Sequence, residues 1–184
     1  ILGSISQLTV TMLMGSFGLW MIKSGSVLNM SAFNSVPWLL SNTLFFTSLL
    51  ICVFLLLFYF RVHLVINTIS GIKFLQKLTR YISVLDFFSC KQLLRILFLS
   101  FFRYMIFILQ YMLLLKVMGV ELDYTVLFIL LNIFYLVMAV VPTVGFTELP
   151  VRATASVLIF ELFSSNIVGI QAAAFSIWLI NLVI

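Results

Sequence analysis

Two opposite charges four residues apart, Glu148 and Arg152, are the strongest candidates for chemistry in this sequence. Residues at this spacing share one face of a helix and can form an ion pair. The first turn of a helix favours an acid, and a helix N-terminus beside an arginine also suits a phosphate group. Two interpretations stay open: an anion-binding site, or a capped turn in which the pair only neutralises itself.

The residues around this pair predict a break in the chain. Pro142 ends the preceding helix, because proline lacks the N–H and clashes with the previous turn, while Pro150 is tolerated at a helix start. Thr143 and Gly145 lie in the resulting turn and belong to the same candidate site. The helix predicted over 151–163 would measure roughly 20 Å, whereas the hydrocarbon core of a bilayer is about 30 Å thick. The pattern therefore predicts a short broken or re-entrant helix after Pro142.

Arg103 is the second candidate, about seven residues into a helix predicted over 96–117 and thus roughly 10 Å deep. Ser100 and Gln110 fall on the same face, and a polar stripe in lipid is expected to face the bundle interior or a cavity. The alternative is that Arg103 snorkels to the membrane surface. Glu161 is the third candidate, because ionisable residues inside membrane helices often mark functional sites. If its helix ends close by, Glu161 meets lipid headgroups instead.

Motifs for covalent, metal or nucleotide chemistry are missing from the sequence. Cys52 and Cys90 stand alone, without metal-ligand spacing, and are expected to be small buried hydrophobes. His63 has no catalytic companion, and no phosphate-binding loop, GxSxG, HExxH or dinucleotide motif occurs. We therefore expect no cofactor, no metal and no enzyme activity. An enzyme embedded in the membrane would have only Glu148 and Glu161 as acid–base groups.

The elements that must position these residues are apolar helices. Hydrophobic residues make up 64% of the 184 residues and charged residues 8%, and the mean hydropathy is +1.30. Soluble domains carry roughly 25% charged residues, so this chain has too few charges to cover a water-facing surface. Backbone groups in lipid must pair internally, and the alternation typical of a membrane barrel is absent. The sequence predicts an all-α, polytopic helical membrane protein.

We expect about 5–6 membrane helices, including the short one. The predicted ranges are 4–22, 39–60, 96–117, 124–141, 151–163 and a last helix from 167 onward. Together, residues 1–184 are interpreted as one transmembrane domain and as a fragment of a longer chain, because the last residue lies inside an apolar run.

Residues 61–95 differ in composition and form a basic amphipathic segment. Lys73, Lys77 and Arg80 lie at i, i+4 and i+7, which places them on one helical face. The positive-inside rule places this segment in the cytoplasm. The net charge of +5 then reflects loops that face anionic lipid, so no nucleic-acid partner is expected.

The stretch 142–152 resembles the signature of the lysylphosphatidylglycerol synthase transmembrane region, a flippase-like membrane protein family. Members carry a Pro-Thr turn before a helix start that bears Glu and Arg, in the form P-T-x-x-x-x-E-L-G-V-R-G. The sequence departs from this form at Pro150 and Ala153, where glycine is expected. The matching residues are Pro142, Thr143, Glu148, Leu149, Val151 and Arg152.

A weaker resemblance is found at Gly3, Gln7 and Thr11, in and just before the helix predicted over 4–22. The resemblance would cover all 184 residues as the C-terminal part of a longer membrane unit, and it implies a multi-pass protein of the bacterial plasma (inner) membrane. Relatives translocate aminoacylated phospholipid between leaflets, and others accompany glycosyltransferases that act on lipid carriers. The synthase activity of fused relatives resides in a separate soluble domain outside these residues, so no aminoacyl transfer is expected here.

Two functional hypotheses result. The leading one is a flippase-like lipid transporter that binds an anionic phospholipid or lipid-carrier headgroup in an intramembrane cavity. The alternative is a non-catalytic membrane partner or anchor of a glycosyltransferase or lipid-modifying enzyme, and a homo-oligomer is also open. The candidate binding residues are Arg152, Glu148, Arg103, Thr143, Gly145 and Glu161.

Overall fold

The computed structural model describes residues 2–24, 42–60, 89–141 and 147–183. These ranges contain six α-helices and no strand, which confirms the all-α prediction. The helices are α1 (Leu2–Lys23), α2 (Asn42–Phe60), α3 (Cys90–Val117), α4 (Tyr124–Val140), α5 (Glu148–Phe160) and α6 (Ile167–Val183).

Three of these helices are long and apolar enough to cross a membrane. They are α1, α2 and α3, with 22, 19 and 28 residues. The helices α4 and α6 are also apolar but have 17 residues each, about 25 Å at the rise of an α-helix. The described part of the chain is thus a helical membrane protein.

The core of the bundle is built around α4. Leu127 and almost every residue from Ile129 to Phe134 are fully buried, because α4 packs against α1, α3 and α5. On α2, in contrast, the side chains of Leu50, Phe46 and Phe54 remain 71%, 59% and 60% exposed. An apolar helix with so much exposed side-chain area requires lipid or another protein around it.

The start of α3 differs from the prediction. The helix begins at Cys90 rather than at residue 96, because Ser89 and Gln92 form a capping box that satisfies the first backbone N–H groups. The segment predicted over 61–95 therefore ends inside a helix, and its residues 61–88 lie outside the described residues. Cys90 is exposed, so the prediction that it is buried is wrong, whereas Cys52 is buried as expected.

The end of α3 is fixed by a glycine. Gly119 has φ of 78°, a left-handed conformation that costs glycine little. Its N–H donates to the carbonyl oxygen of Lys116, and the N–H of Val120 donates to that of Leu115 at 3.0 Å. This is the Schellman pattern, and it directs the chain into the turn before α4.

The short helix α5 is confirmed in type and length but is displaced by one turn. It covers Glu148–Phe160 rather than 151–163. Pro150 lies within its first turn, because the N–H groups there have no helical partner and proline loses nothing. Thr147 occupies the N-cap position, but its side chain forms no capping hydrogen bond. The break predicted near Ser164 is also confirmed, since α6 begins at Ile167.

Helices α1 and α4 approach each other closely at Gly15. A Cβ atom added at Gly15 would lie 2.7 Å from Cβ of Leu136, whereas one added at Gly3 would meet nothing within 4 Å. Gly15 therefore lets the two backbones come together, as small residues do in membrane bundles.

We expect Gly15→Ala to lower the free energy of unfolding by about 1–3 kcal/mol, because Leu136 and α4 must shift to make room. Gly3→Ala on the same helix is the matched control and should be neutral or slightly stabilising, since alanine favours helix more than glycine does. Unfolding titrations in detergent micelles measure both. Equal stability of the two variants would contradict the close contact.

Candidate functional site

The pair predicted from the sequence is formed at the start of α5. Arg152 Nη2 donates to Glu148 Oε1 at 2.7 Å. The two side chains differ in burial, because that of Arg152 is 12% exposed and that of Glu148 is 35% exposed. The arginine thus points into the bundle and the carboxylate lies nearer its surface.

The guanidinium of Arg152 lies within the bundle, against the middle of α4. Its central carbon is 5.9 Å from the ring centroid of Phe134. Phe134 is about 15 Å along α4 from Tyr124 and about 9 Å from Val140. The positive charge of Arg152 therefore lies beside the buried middle of α4, rather than at either end of that helix.

Several polar atoms around Arg152 are buried without a hydrogen-bond partner in the described residues. They include Nε of Arg152 itself and the hydroxyl groups of Tyr111 and Tyr135. The Tyr135 hydroxyl lies near Arg152 and the Tyr111 hydroxyl lies near Ser156, but neither contact has the geometry of a hydrogen bond. Buried polar groups are normally paired with protein or water. Unpaired ones beside a cation therefore mark a place where a polar ligand or water would gain hydrogen bonds.

Arg103 borders a cavity between α1, α3 and α4 that we name the Arg103 cleft. The cleft has a volume of ≈ 440 Å³. Arg103 itself is exposed, stacks on Phe107 at 5.3 Å, and has no carboxylate partner among the described residues. The polar residues that line the cleft are Ser4, Gln7, Thr11, Arg103, Tyr104 and Tyr135.

Arg103 lies well inside α3, although this helix begins at Cys90 rather than at residue 96. Arg95 marks the basic end of α3, and Arg103 lies two turns further along, about 12 Å away. Arg103 is exposed and lines the cleft, which is compatible with both interpretations, a cavity lining and a snorkelling cation. Ser100, on the same face, is buried.

Tyr135 lies close to both arginines. It lines the Arg103 cleft, and its hydroxyl lies near Arg152. Its ring is 5.6 Å from that of Tyr104, whose hydroxyl donates to Asn132 Oδ1 at 2.8 Å. Asn132 is thus a hydrogen-bond partner between α3 and α4. Oε1 of Gln110, on the polar face of α3, has no hydrogen-bond partner in the described part of the chain.

Of the remaining predicted site residues, Glu161 is not brought to this cluster. Glu161 is the exposed C-cap of α5, at the opposite end of that helix from Glu148, which fits contact with headgroups. Thr143 and Gly145 lie outside the described residues. No group of His, Cys, Asp or Glu side chains that could hold a metal ion occurs in the ranges that the structure describes.

The net charge of the candidate binding residues matches the binding of one anion. Arg103 and Arg152 contribute two positive charges and Glu148 one negative charge, so the described cluster carries a net charge of +1. A phosphodiester carries one negative charge and accepts several hydrogen bonds, and arginine is the side chain that binds phosphate most specifically. The hydroxyl groups of Tyr111 and Tyr135 could donate to the same group.

Sequence reasoning missed the two tyrosines. Both stand within apolar runs, and an aromatic residue there usually serves as core, so nothing in the sequence distinguishes them. The cleft-lining positions Gln7 and Thr11 were indicated only through the family resemblance. Comparisons with family models, with curated proteins and with solved structures find no match to this chain.

Proposed function

We propose that this chain belongs to a flippase-like lipid transporter of the bacterial inner membrane and binds the headgroup of an anionic phospholipid or lipid carrier. Arg103 receives the phosphate in the Arg103 cleft, and Arg152 binds it deeper in the bundle. The observation that supports this function best is the buried Nε of Arg152, which is unpaired and lies near the hydroxyl of Tyr135, a residue that also lines the cleft.

The polar side chains of the cleft offer a lipid headgroup a first binding position inside an otherwise apolar bundle. A charged headgroup that leaves water loses its hydration, so it needs donors within reach at each depth. Arg103, Tyr135 and Arg152 supply such donors in succession. Glu148 keeps Arg152 neutralised while no lipid is bound, and an arriving phosphate would compete for the same guanidinium.

The membrane orientation of this proposal follows from the basic residues. We place the segment 61–95 in the cytoplasm, so α3 begins on that side. Since α4 returns from the other side, the Arg103 cleft and the start of α5 lie in the cytoplasmic half of a multi-pass bundle. The headgroup would then enter from the inner leaflet.

A second function, a non-transporting partner of a glycosyltransferase or lipid-modifying enzyme, is supported by one observation. The 2.7 Å ion pair between Arg152 and Glu148 is what a self-neutralising structural turn requires. A dry, packed pair would favour this alternative, but the carboxylate is 35% exposed and Nε of the arginine is unpaired. We therefore rank it second.

Movement of headgroup-labelled phosphatidylglycerol across vesicles that contain the protein tests the proposal. We expect faster movement than in protein-free vesicles, lost in Arg152→Ala and unchanged in Lys116→Ala. Lys116 is the matched control because it lies at the far end of α3, over the Tyr124 ring at 4.9 Å. No movement above protein-free vesicles, for several lipids and a folded protein, would instead support the structural partner.

A further inference from the structure

A groove between α1, α2 and α3 shares no lining residue with the Arg103 cleft. Its volume is ≈ 490 Å³, which lies in the range of small-molecule sites. The walls are almost entirely apolar and include Leu13, Leu56 and Phe98, whereas Lys91 and Arg95 line one end. An apolar groove that ends in cations has the chemical character of an amphiphile-binding site.

The cations at this end have no partner of opposite charge among the described residues. Lys91 lies in the first turn of α3, where the helix dipole disfavours a positive charge, and that turn contains no acid. Arg95 is one turn further along the same face. An anion bound here would be attracted by two side chains and by the positive end of the helix.

The apolar part of the groove spans part of one leaflet of a bilayer. From Arg95 to Phe101, which also lines it, the rise along α3 is about 9 Å. One leaflet contributes about half of the roughly 30 Å hydrocarbon core. With Lys91 and Arg95 at headgroup level, the apolar walls would therefore cover the part of an acyl chain nearest the headgroup.

We propose that this groove binds one anionic phospholipid, with its phosphate between Lys91 and Arg95 and an acyl chain against Leu13, Leu56 and Phe98. A zwitterionic lipid offers the same chain without the net charge, and a free phosphate offers the charge without the chain. This lipid fills the space between α2 and its neighbours. It is held at a site separate from the transport path proposed above.

The peripheral position of α2 gives this lipid a structural consequence. The buried residues of α2 are Ser48, Cys52 and Tyr59, and the rest of the helix is exposed or half-buried. A direct polar connection exists at the cation end, where Tyr59 of α2 lies 2.9 Å from the Ser6 hydroxyl and donates to the carbonyl oxygen of Leu93 at 2.9 Å. A bound acyl chain would extend this connection by filling the groove between the helices.

Lipid retention by the purified full chain tests the proposal. The protein in neutral detergent is incubated with equal amounts of phosphatidylglycerol and phosphatidylcholine that carry identical chains, repurified, and analysed by mass spectrometry. We expect phosphatidylglycerol to be retained about tenfold over phosphatidylcholine, because two basic side chains contact its headgroup. Soluble glycerol phosphate in excess should not displace it, since it lacks the chain. Equal retention of the two lipids would overturn the proposal.

Variants assign the retained lipid to this groove. Lys91→Ala combined with Arg95→Ala should abolish the preference, and the charge-conserving pair Lys91→Arg with Arg95→Lys should keep it. Leu13→Trp fills the apolar part and should lower retention of both lipids. Leu113→Trp, at an exposed position outside the groove, is its matched control and should change nothing. An unchanged preference in the double alanine variant, or equal retention by the two tryptophan variants, would overturn the assignment. These variants are compared in a background with Arg103→Ala and Arg152→Ala, so that lipid bound at the proposed transport site does not contribute. The outcome then does not depend on the proposed transport function.

Discussion

Replacing Arg152 with alanine is expected to reduce phosphatidylglycerol movement to the level of protein-free vesicles and to lower the free energy of unfolding by about 1–3 kcal/mol. The two effects have different causes. Movement is lost because the deep phosphate donor is gone, whereas stability is lost because Glu148 keeps its charge without the 2.7 Å partner. A single substitution therefore leaves open whether transport fails for lack of the site or for lack of the fold.

Neutralising the whole pair separates these causes. In Glu148→Gln combined with Arg152→Met, neither side chain is left as an uncompensated charge, and such replacements of buried pairs are often neutral for stability. We expect the double variant to unfold close to the wild type and still to move no lipid. Both quantities can be measured on the same preparations, by unfolding in detergent and by a dithionite quenching assay in vesicles.

Glu148→Gln alone gives the opposite test of the site. Arg152 keeps its charge in this variant but loses its carboxylate partner, so an anionic headgroup no longer competes with a carboxylate for the guanidinium. We expect phosphatidylglycerol to bind more tightly than in the wild type, provided the variant remains folded. Wild-type movement in the double variant would exclude Arg152 as the phosphate donor and would assign lipid binding during transport to other residues.

The helical composition and the order of the helices could be predicted from the sequence, because apolar runs of membrane length leave few alternatives. The boundaries were harder where polar residues join an apolar helix. Lys91 and Arg95 suggested that α3 begins after them, yet the capping box of Ser89 and Gln92 starts it at Cys90. The spacing S-x-x-Q was visible in the sequence and would have predicted this start.

Part of the candidate site could also be predicted. The spacing of Glu148 and Arg152 indicated their ion pair, because residues four apart on a helix are neighbours. The approach of Tyr135 to Arg152 depends on how α4 and α5 pack. Sequence periodicity shows which residues share a face within one helix but gives no register between two helices. The cleft and its tyrosines therefore required the structure.

Asn166 connects two helix ends that are far apart in the sequence. Its Nδ2 donates to the carbonyl oxygens of Met118 at 2.9 Å and Gly119 at 3.2 Å, just after α3. Its Oδ1 accepts from the N–H of Gly169 at 2.9 Å, in the first turn of α6. Gly169 leaves space for this contact, since an added Cβ would collide with the Met118 carbonyl oxygen.

We expect Asn166→Ala to lower the free energy of unfolding by about 2–4 kcal/mol, because three hydrogen bonds are lost and carbonyl groups at the end of α3 lose a donor. Asn166→Asp should be no better, since it keeps an acceptor for Gly169 but turns a carboxylate oxygen, which cannot donate, toward the carbonyl oxygens of Met118 and Gly119. Ser165→Ala, at an exposed neighbouring position, is the control and should stay within about 0.5 kcal/mol. Unfolding in detergent micelles ranks the three variants. If Asn166→Ala were as stable as Ser165→Ala, the joint between α3 and α6 would depend on apolar packing alone.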